Sequence, residues 1–172
     1  ASEFISCALE QNLDIAATRK NYVDYLAHRP RVEKIGEHGL FTDEGEPVVL
    51  GQVQNQVADH KGIVWTHVIS LRREDAARLG YDSAVQWMAL LRSKRAMLCK
   101  HMKIDSANLK WYAAFHNESH HPHVHLLVYS VKDGEGYLTK QSIEAMRSEL
   151  AHDIFRQDIE NIYEEKEQSR ME

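Results

Sequence analysis

Only two cysteines, Cys7 and Cys99, occur in the 172 residues. That scarcity excludes a disulfide framework, and no CxxC pair is present to hold a metal. Both thiols are expected to be reduced and mostly buried. No run of apolar residues approaches the roughly 20 needed to cross a bilayer, and the N-terminus lacks the basic, apolar and small-residue regions of a signal peptide. A cytoplasmic protein with no membrane segment is expected. Internal repeats and low-complexity stretches are also missing. The chain lacks an excess of cations, its formal net charge being −5, which argues against a uniformly basic phosphate-binding surface.

Apolar residues at 43% and charged residues at 27% are ordinary globular values. This length fits one well-buried domain, 1–172, and is short for two. Charge is segregated along the chain: Arg92, Lys94, Arg95, Lys100 and Lys103 form a run free of acids, whereas the tail from Asp158 onward is rich in Glu. The cationic run is a candidate electrostatic footprint, and it also suits a helix end complementing its own dipole. The chain opens Ala-Ser-Glu without Met, so a fragment lacking an N-terminal region is expected.

Apolar spacing predicts helices over Ser2–Leu9 and Thr18–Arg29, with Ile5, Leu9, Tyr22, Tyr25 and Leu26 facing inward and Pro30 ending the second. A hairpin is expected from His38 to Leu50 around Asp43-Glu44-Gly45, then one or two helical turns from Gln52 to Asp59. Ile63–Leu71 reads as a strand, followed by a short helix Glu74–Leu79 that Gly80 stops. A long helix is expected from Ala84 to Met102, opened by a capping box of Ser83 and Gln86, with Val85, Met88, Leu91 and Leu98 on one stripe. Lys110–His116 and His123–Val131 are the two best strands. A final helix runs from Lys140 to about Glu165, with Ile143, Met146, Leu150, Ile154, Ile159 and Ile162 inward.

The two best strands are joined by a loop short enough that only an antiparallel pair can use it. The expected fold is α+β, a small antiparallel sheet with helices packed mainly on one face.

Chemistry concentrates in HNESHHPHVHLLVYS, from His116 to Ser130. Side chains alternate across a strand, so His123 and His125 point one way while Val124, Leu126 and Val128 point the other. His116 ends the preceding strand, and antiparallel pairing brings it beside them. Three neutral imidazoles from adjacent strands make a metal site with open coordination positions, suited to Lewis-acid work. A solvated loop with a partly buried strand is the plainer alternative. His120 and His121 fit exposed loop positions, with support of a ligand imidazole or contact with substrate as the alternatives for both. Glu118 can orient a ligand imidazole or stand free in solvent.

At these residues the chain resembles the HUH relaxases of mobilisable and conjugative elements, most closely the MobL or MobP-like group, which end one strand with His and carry Pro-His-hydrophobic-His on the next. NYVDYLAHRPRVEK, HGLF, VISLRREDAARLGYD, KWYAAFHNESHHPHVHLLVYS and YLTKQSIEAM look like blocks of that group. The resemblance implies an HUH-endonuclease palm that nicks one DNA strand at a transfer origin. A Tyr attacks the phosphodiester and stays joined to the DNA 5′ end, with Mn²⁺ or Mg²⁺ as the metal and Zn²⁺ as the alternative. Single-stranded origin DNA and accessory relaxosome proteins are the implied partners.

Tyr25 is the nearest match to the family nucleophile, and Tyr22, one turn away, is the substitute; their spacing also fits a helix docked on a core. Larger members of the group carry a further Tyr segment in a preceding region, where the nucleophile is otherwise expected. Arg29, Arg31, Arg72 and Arg73 are candidate phosphate ligands or solvated surface groups. Trp65, Trp111 and Tyr112 are candidate stacking platforms or core residues. Two further functions fit the same residues: a zinc hydrolase working through bound water, and a non-catalytic DNA-binding module with structural histidines.

Overall fold

The computed structural model describes residues 3–8 and 15–171. Four strands form one antiparallel sheet in the order β1-β2-β4-β3, where β1 is Glu3–Ala8, β2 Trp65–Ser70, β3 Leu109–His116 and β4 His123–Ser130. The helices are α1 Ile15–His28, α2 Leu50–Asp59, α3 Arg73–Leu79, α4 Ala84–Arg92, α5 Arg95–Met102, α6 Lys140–Ile154 and α7 Arg156–Met171. The fold is the α+β arrangement expected.

Strand alternation builds two cores. Trp111, Phe115, Val124, Leu126 and Val128 point to one face, where they meet Trp87 and Leu91 of α4, Leu98 and Met102 of α5, and Met146 and Leu150 of α6. Tyr112, Ala114, Leu127 and Tyr129 point to the other face and are covered by Val23, Leu26 and Ala27 of α1 with Val53 and Val57 of α2. Most helices therefore lie on one side, and the α1–α2 pair closes part of the other. Arg19 locks that pair: its buried guanidinium donates to the carbonyls of Val57, His60 and Gly62, at the otherwise unsatisfied end of α2.

Several elements differ from the sequence reading. Residues 3–8 form a strand instead of a helix, because the edge of β2 offers backbone partners from Glu3↔Ser70 to Ala8↔Trp65 and tertiary pairing overrides a short apolar spacing. Ile5 is consequently 50% exposed; Ser2 and Leu9 lie outside the described residues. The hairpin over 38–50 does not form. Phe41 instead bridges Ala113 on the outer edge of β3, and Leu50 opens α2. Glycine is required at Gly39, where a Cβ would come within 2.3 Å of the Val32 side chain.

The helix expected over 84–102 breaks at Ser93-Lys94, which turns α5 onto the core. Ser83 makes no side-chain cap bond, and Val85 faces solvent while Trp87 is buried. The last helix divides at Phe155. Met146, Leu150 and Ile154 are buried in α6, but α7 buries no residue and its Ile162 is 53% exposed. Neither thiol is buried, Cys7 being exposed and Cys99 intermediate. No helix among the described residues is long and apolar enough to cross a membrane.

Phe115 stacks on Trp87 with ring centroids 6.2 Å apart and is fully buried one residue before His116. Phe115→Ala is expected to cost about 3–5 kcal/mol of stability, read as a lowered urea midpoint; an unchanged midpoint would remove this contact from the support of the β3 end.

Candidate metal centre

The register of the sheet makes the site. His116 is paired with His123 and Ala114 with His125, so alternation brings His116, His123 and His125 onto the face shared with α1. Their ring centroids lie 5.2 Å (His116 to His123), 4.7 Å (His116 to His125) and 4.9 Å (His123 to His125) apart. One nitrogen from each ring can be chosen so that all three lie within 4.8 Å of one another, a set that a single ion can draw together.

Hydrogen bonds set which nitrogens are free. His116 Nε2 lies 3.1 Å from the Leu26 carbonyl and His123 Nδ1 lies 3.0 Å from the His121 carbonyl. A carbonyl only accepts, so those nitrogens carry the protons, and His116 Nδ1 and His123 Nε2 keep their lone pairs. Among the described residues, His116 Nδ1 and both nitrogens of His125 are buried without a hydrogen-bond partner. Orphaned buried nitrogens are costly in a folded protein, and a cation would satisfy His116 Nδ1 and the lone-pair nitrogen of His125. The donor set therefore fits a divalent metal, with backbone carbonyls orienting two of the three ligands.

Electrostatics act in the same direction. Burial is the main reason that the His116 imidazole is pushed down to about 4 and the His125 imidazole to about 3, and the neighbouring imidazoles and Arg29 push further down in each case. At neutral pH both rings are uncharged and present lone pairs without competition from protons.

The β3–β4 loop, residues 117–122, is held by the start of α3. Arg73 donates from its side chain to Asn117 Oδ1 at 2.7 Å, to the Ser119 carbonyl at 3.2 Å and to the Glu118 carbonyl. Its backbone N–H reaches the His120 carbonyl at 3.1 Å, and the Leu71 N–H reaches the Pro122 carbonyl at 3.1 Å. These bonds fix the two loop ends that carry His116 and His123. Arg73 thus clamps the loop, a role the sequence reading did not specify because the acceptors are mostly backbone carbonyls.

Glu118 faces Arg29 at 3.8 Å and Arg31 at 4.0 Å. Arg29 in turn lies over the Tyr25 ring, 5.0 Å from its centroid. Tyr25 is 40% exposed and its ring centroid is 6.2 Å from that of His116 and 6.0 Å from that of His125. Tyr22 also approaches His125, at 6.4 Å, but it is more enclosed. Burial pushes its phenol up to about 12, and its hydroxyl is engaged by Thr66.

Other candidates lie apart from this centre or are already engaged. His120 and His121 have exposed side chains. Arg72 pairs with Asp75 at 3.5 Å. Three cations of the basic run are tied into the structure: Arg92 bonds the Thr42 carbonyl, Lys94 pairs with Asp153 and Arg95 with Asp43. Lys100 and Lys103 are exposed. Trp111 and Tyr112 are buried, and the Trp65 indole donates to the Gly136 carbonyl while packing on the core; none of the three is an open stacking platform.

Arg73→Ala is expected to weaken Mn²⁺ binding by about 10–100-fold in a calorimetric titration, the scale of losing groups that orient ligands; unchanged affinity would mean the loop holds itself. A second expectation concerns pH. Burial also depresses His67, on the opposite face, from 6.5 to about 4. A base with a lowered folded pKa stabilises the fold above its unfolded value, and that stability is lost as the pH falls. Metal-free protein should lose stability from about pH 6.5 towards 4, read from urea midpoints at pH 7 and 5, and equal midpoints would contradict the buried neutral histidines.

A family model described as MobL relaxases matches residues 7–172. No curated protein matches the chain, and no solved structure does. With the match spanning nearly the whole sequence and the three histidines gathered on one sheet face, the chain belongs to the MobL relaxases.

Proposed function

We propose that the chain is a metal-dependent, strand-specific DNA endonuclease and transesterase that acts on single-stranded DNA at a transfer origin, with Tyr25 as the nucleophile. The carrying observation is the placement of Tyr25: half open to solvent, with its ring about 6 Å from two of the three histidines. His116, His123 and His125 are the residues that hold the cation, Mn²⁺ or Mg²⁺ with Zn²⁺ as the alternative. When bound, the ion supplies positive charge to polarise the scissile phosphate.

The remaining work falls to this chain's own groups. A phenol ionises near pH 10 in water and is a weak nucleophile when neutral. The Arg29 guanidinium over the Tyr25 ring fixes the ring plane. Tyr25 Oη attacks phosphorus and releases its proton to solvent. The bond from phosphorus to O3′ breaks, the departing 3′ oxygen takes up a proton, and the 5′ phosphate stays joined to Tyr25. Because one phosphoester replaces another, the strand can be rejoined by the reverse step. Arg29 and Arg31 meet Glu118 through long, partly exposed pairs, which a phosphate can replace at little cost. Tyr22 supports the helix and packs against His125.

The test uses labelled single-stranded fragments tiling the DNA around the coding region, incubated with Mn²⁺ and resolved on a denaturing gel. A slow-migrating covalent adduct is expected. It should fall by roughly 10³-fold or more in Tyr25→Phe, on the scale of losing a nucleophile, and persist in Tyr22→Phe. Cleavage without an adduct would favour a zinc hydrolase, and metal-independent binding without cleavage would favour a non-catalytic module.

A further inference from the structure

Beside the metal centre, at the same end of the sheet, a groove of about 490 Å³ opens between the start of β1, the end of β2, the β3–β4 loop and α6. Its position follows from register. Glu3 pairs with Ser70, Ser70 with His123 and His123 with His116, so one cross-strand row runs from the groove to the histidines. Neighbouring strands are about 5 Å apart, which puts Ser70, in the groove wall, one strand from a metal ligand. His121 joins the two regions directly: its carbonyl accepts from His123 while its side chain lines the groove.

The lining has the chemistry of a nucleotide site. Arg72 and Arg147 contribute two cations. The carboxylate nearest Arg72, Asp75, is shared with Arg78 at the shorter distance of 2.8 Å, against 3.5 Å for Arg72. Arg147 meets Glu144 at 3.8 Å, with side chains 51% and 69% exposed, a pair too screened to hold it. Arg147 is therefore available to a phosphate, and Arg72, 57% exposed, keeps donors beyond its single Nε contact with Asp75. Phe4, half-buried and stacked on His67, supplies an apolar wall. Ser70 and His121 offer polar atoms, and Glu3 is an acceptor of the kind that reads an amino group on a base edge. The volume suits a single small ligand rather than a duplex.

We infer that this groove takes an unpaired nucleotide of the DNA strand flanking the nick, with Arg147 and Arg72 gripping its phosphate. The inference rests on the nicking function proposed above and adds a direction for the strand: from the histidines, past Ser70 and His121, towards α6. Sequence reasoning could not find Arg147, which stands on α6 among ordinary surface residues and reaches the site only through the packing of that helix on the sheet.

The test is fluorescence anisotropy of a labelled dT oligonucleotide of about 20 nucleotides, with EDTA present so that binding is separated from turnover. Arg147→Ala is expected to weaken binding by about three- to tenfold and to reduce the slope of log affinity against log salt by about 0.7, the loss of one phosphate contact on a single strand. Arg72→Ala should act in the same direction. Lys166→Ala, which removes an exposed cation of α7, should leave both quantities unchanged. Equal affinity and slope for wild type and Arg147→Ala would overturn the groove assignment, as would an equal loss for Lys166→Ala or for a duplex probe, either of which signals bulk charge alone. If adducts form normally while the groove variants bind as wild type, only this inference fails. Groove-dependent binding without any adduct supports it and removes the nicking function instead.

Discussion

The centre depends on keeping imidazole lone pairs buried and uncharged. His116 and His125 have lost most of their water to α1 and the sheet, and burial holds both well below the ordinary histidine range. Their free nitrogens cannot be satisfied by protons at neutral pH, nor by any hydrogen-bond partner among the described residues. Unpartnered buried nitrogens of this kind carry a folding cost that a bound cation would relieve. The rest of the architecture serves this arrangement: the sheet sets the spacing, the Leu26 and His121 carbonyls set the tautomers, and Arg73 fixes the loop between two of the histidines.

Helix α1 couples the core to the chemistry. Its buried residues Val23, Leu26 and Ala27 seat it on the sheet, Arg19 ties it to the end of α2, and the Leu26 carbonyl orients a histidine. The same docking leaves Tyr25 half open with Arg29 across its ring, while Tyr22 turns towards Thr66. Two tyrosines three residues apart thereby acquire different surroundings. A single rigid-body placement of one helix sets both the orientation of His116 and the access to the phenol.

Electrostatic design follows a similar economy. The overall acidity of the chain and its basic run suggest a local cationic patch, yet Arg92, Lys94 and Arg95 are engaged with Thr42, Asp153 and Asp43. Their work is to fasten α4 and α5 to neighbouring segments. Arg29 and Arg31, from the segment just after α1, instead face Glu118 in the loop between two of the histidines. Charge counted along the sequence and charge presented at a surface are thus different quantities, because folding pairs some cations and frees others.

How much was legible in the linear sequence depends on the range of the contacts involved. The β3–β4 pair and the facing of His123 and His125 follow from period-two alternation and a short connection, which are local properties, and the three-histidine set was readable for that reason. The identity of β1 was not, since a six-residue segment with mixed spacing becomes a strand only when β2 supplies its backbone partners. The break at Ser93-Lys94 was likewise hidden, because it is fixed by the packing of α5, whose Met97, Leu98 and Met102 are buried. Sequence alone determined the α+β class and the three histidines that the sheet gathers on one face. Tertiary structure decided which tyrosine stands open beside them, which arginine clamps the loop and which cations remain free, because those outcomes arise where segments distant in the chain exclude water from one another.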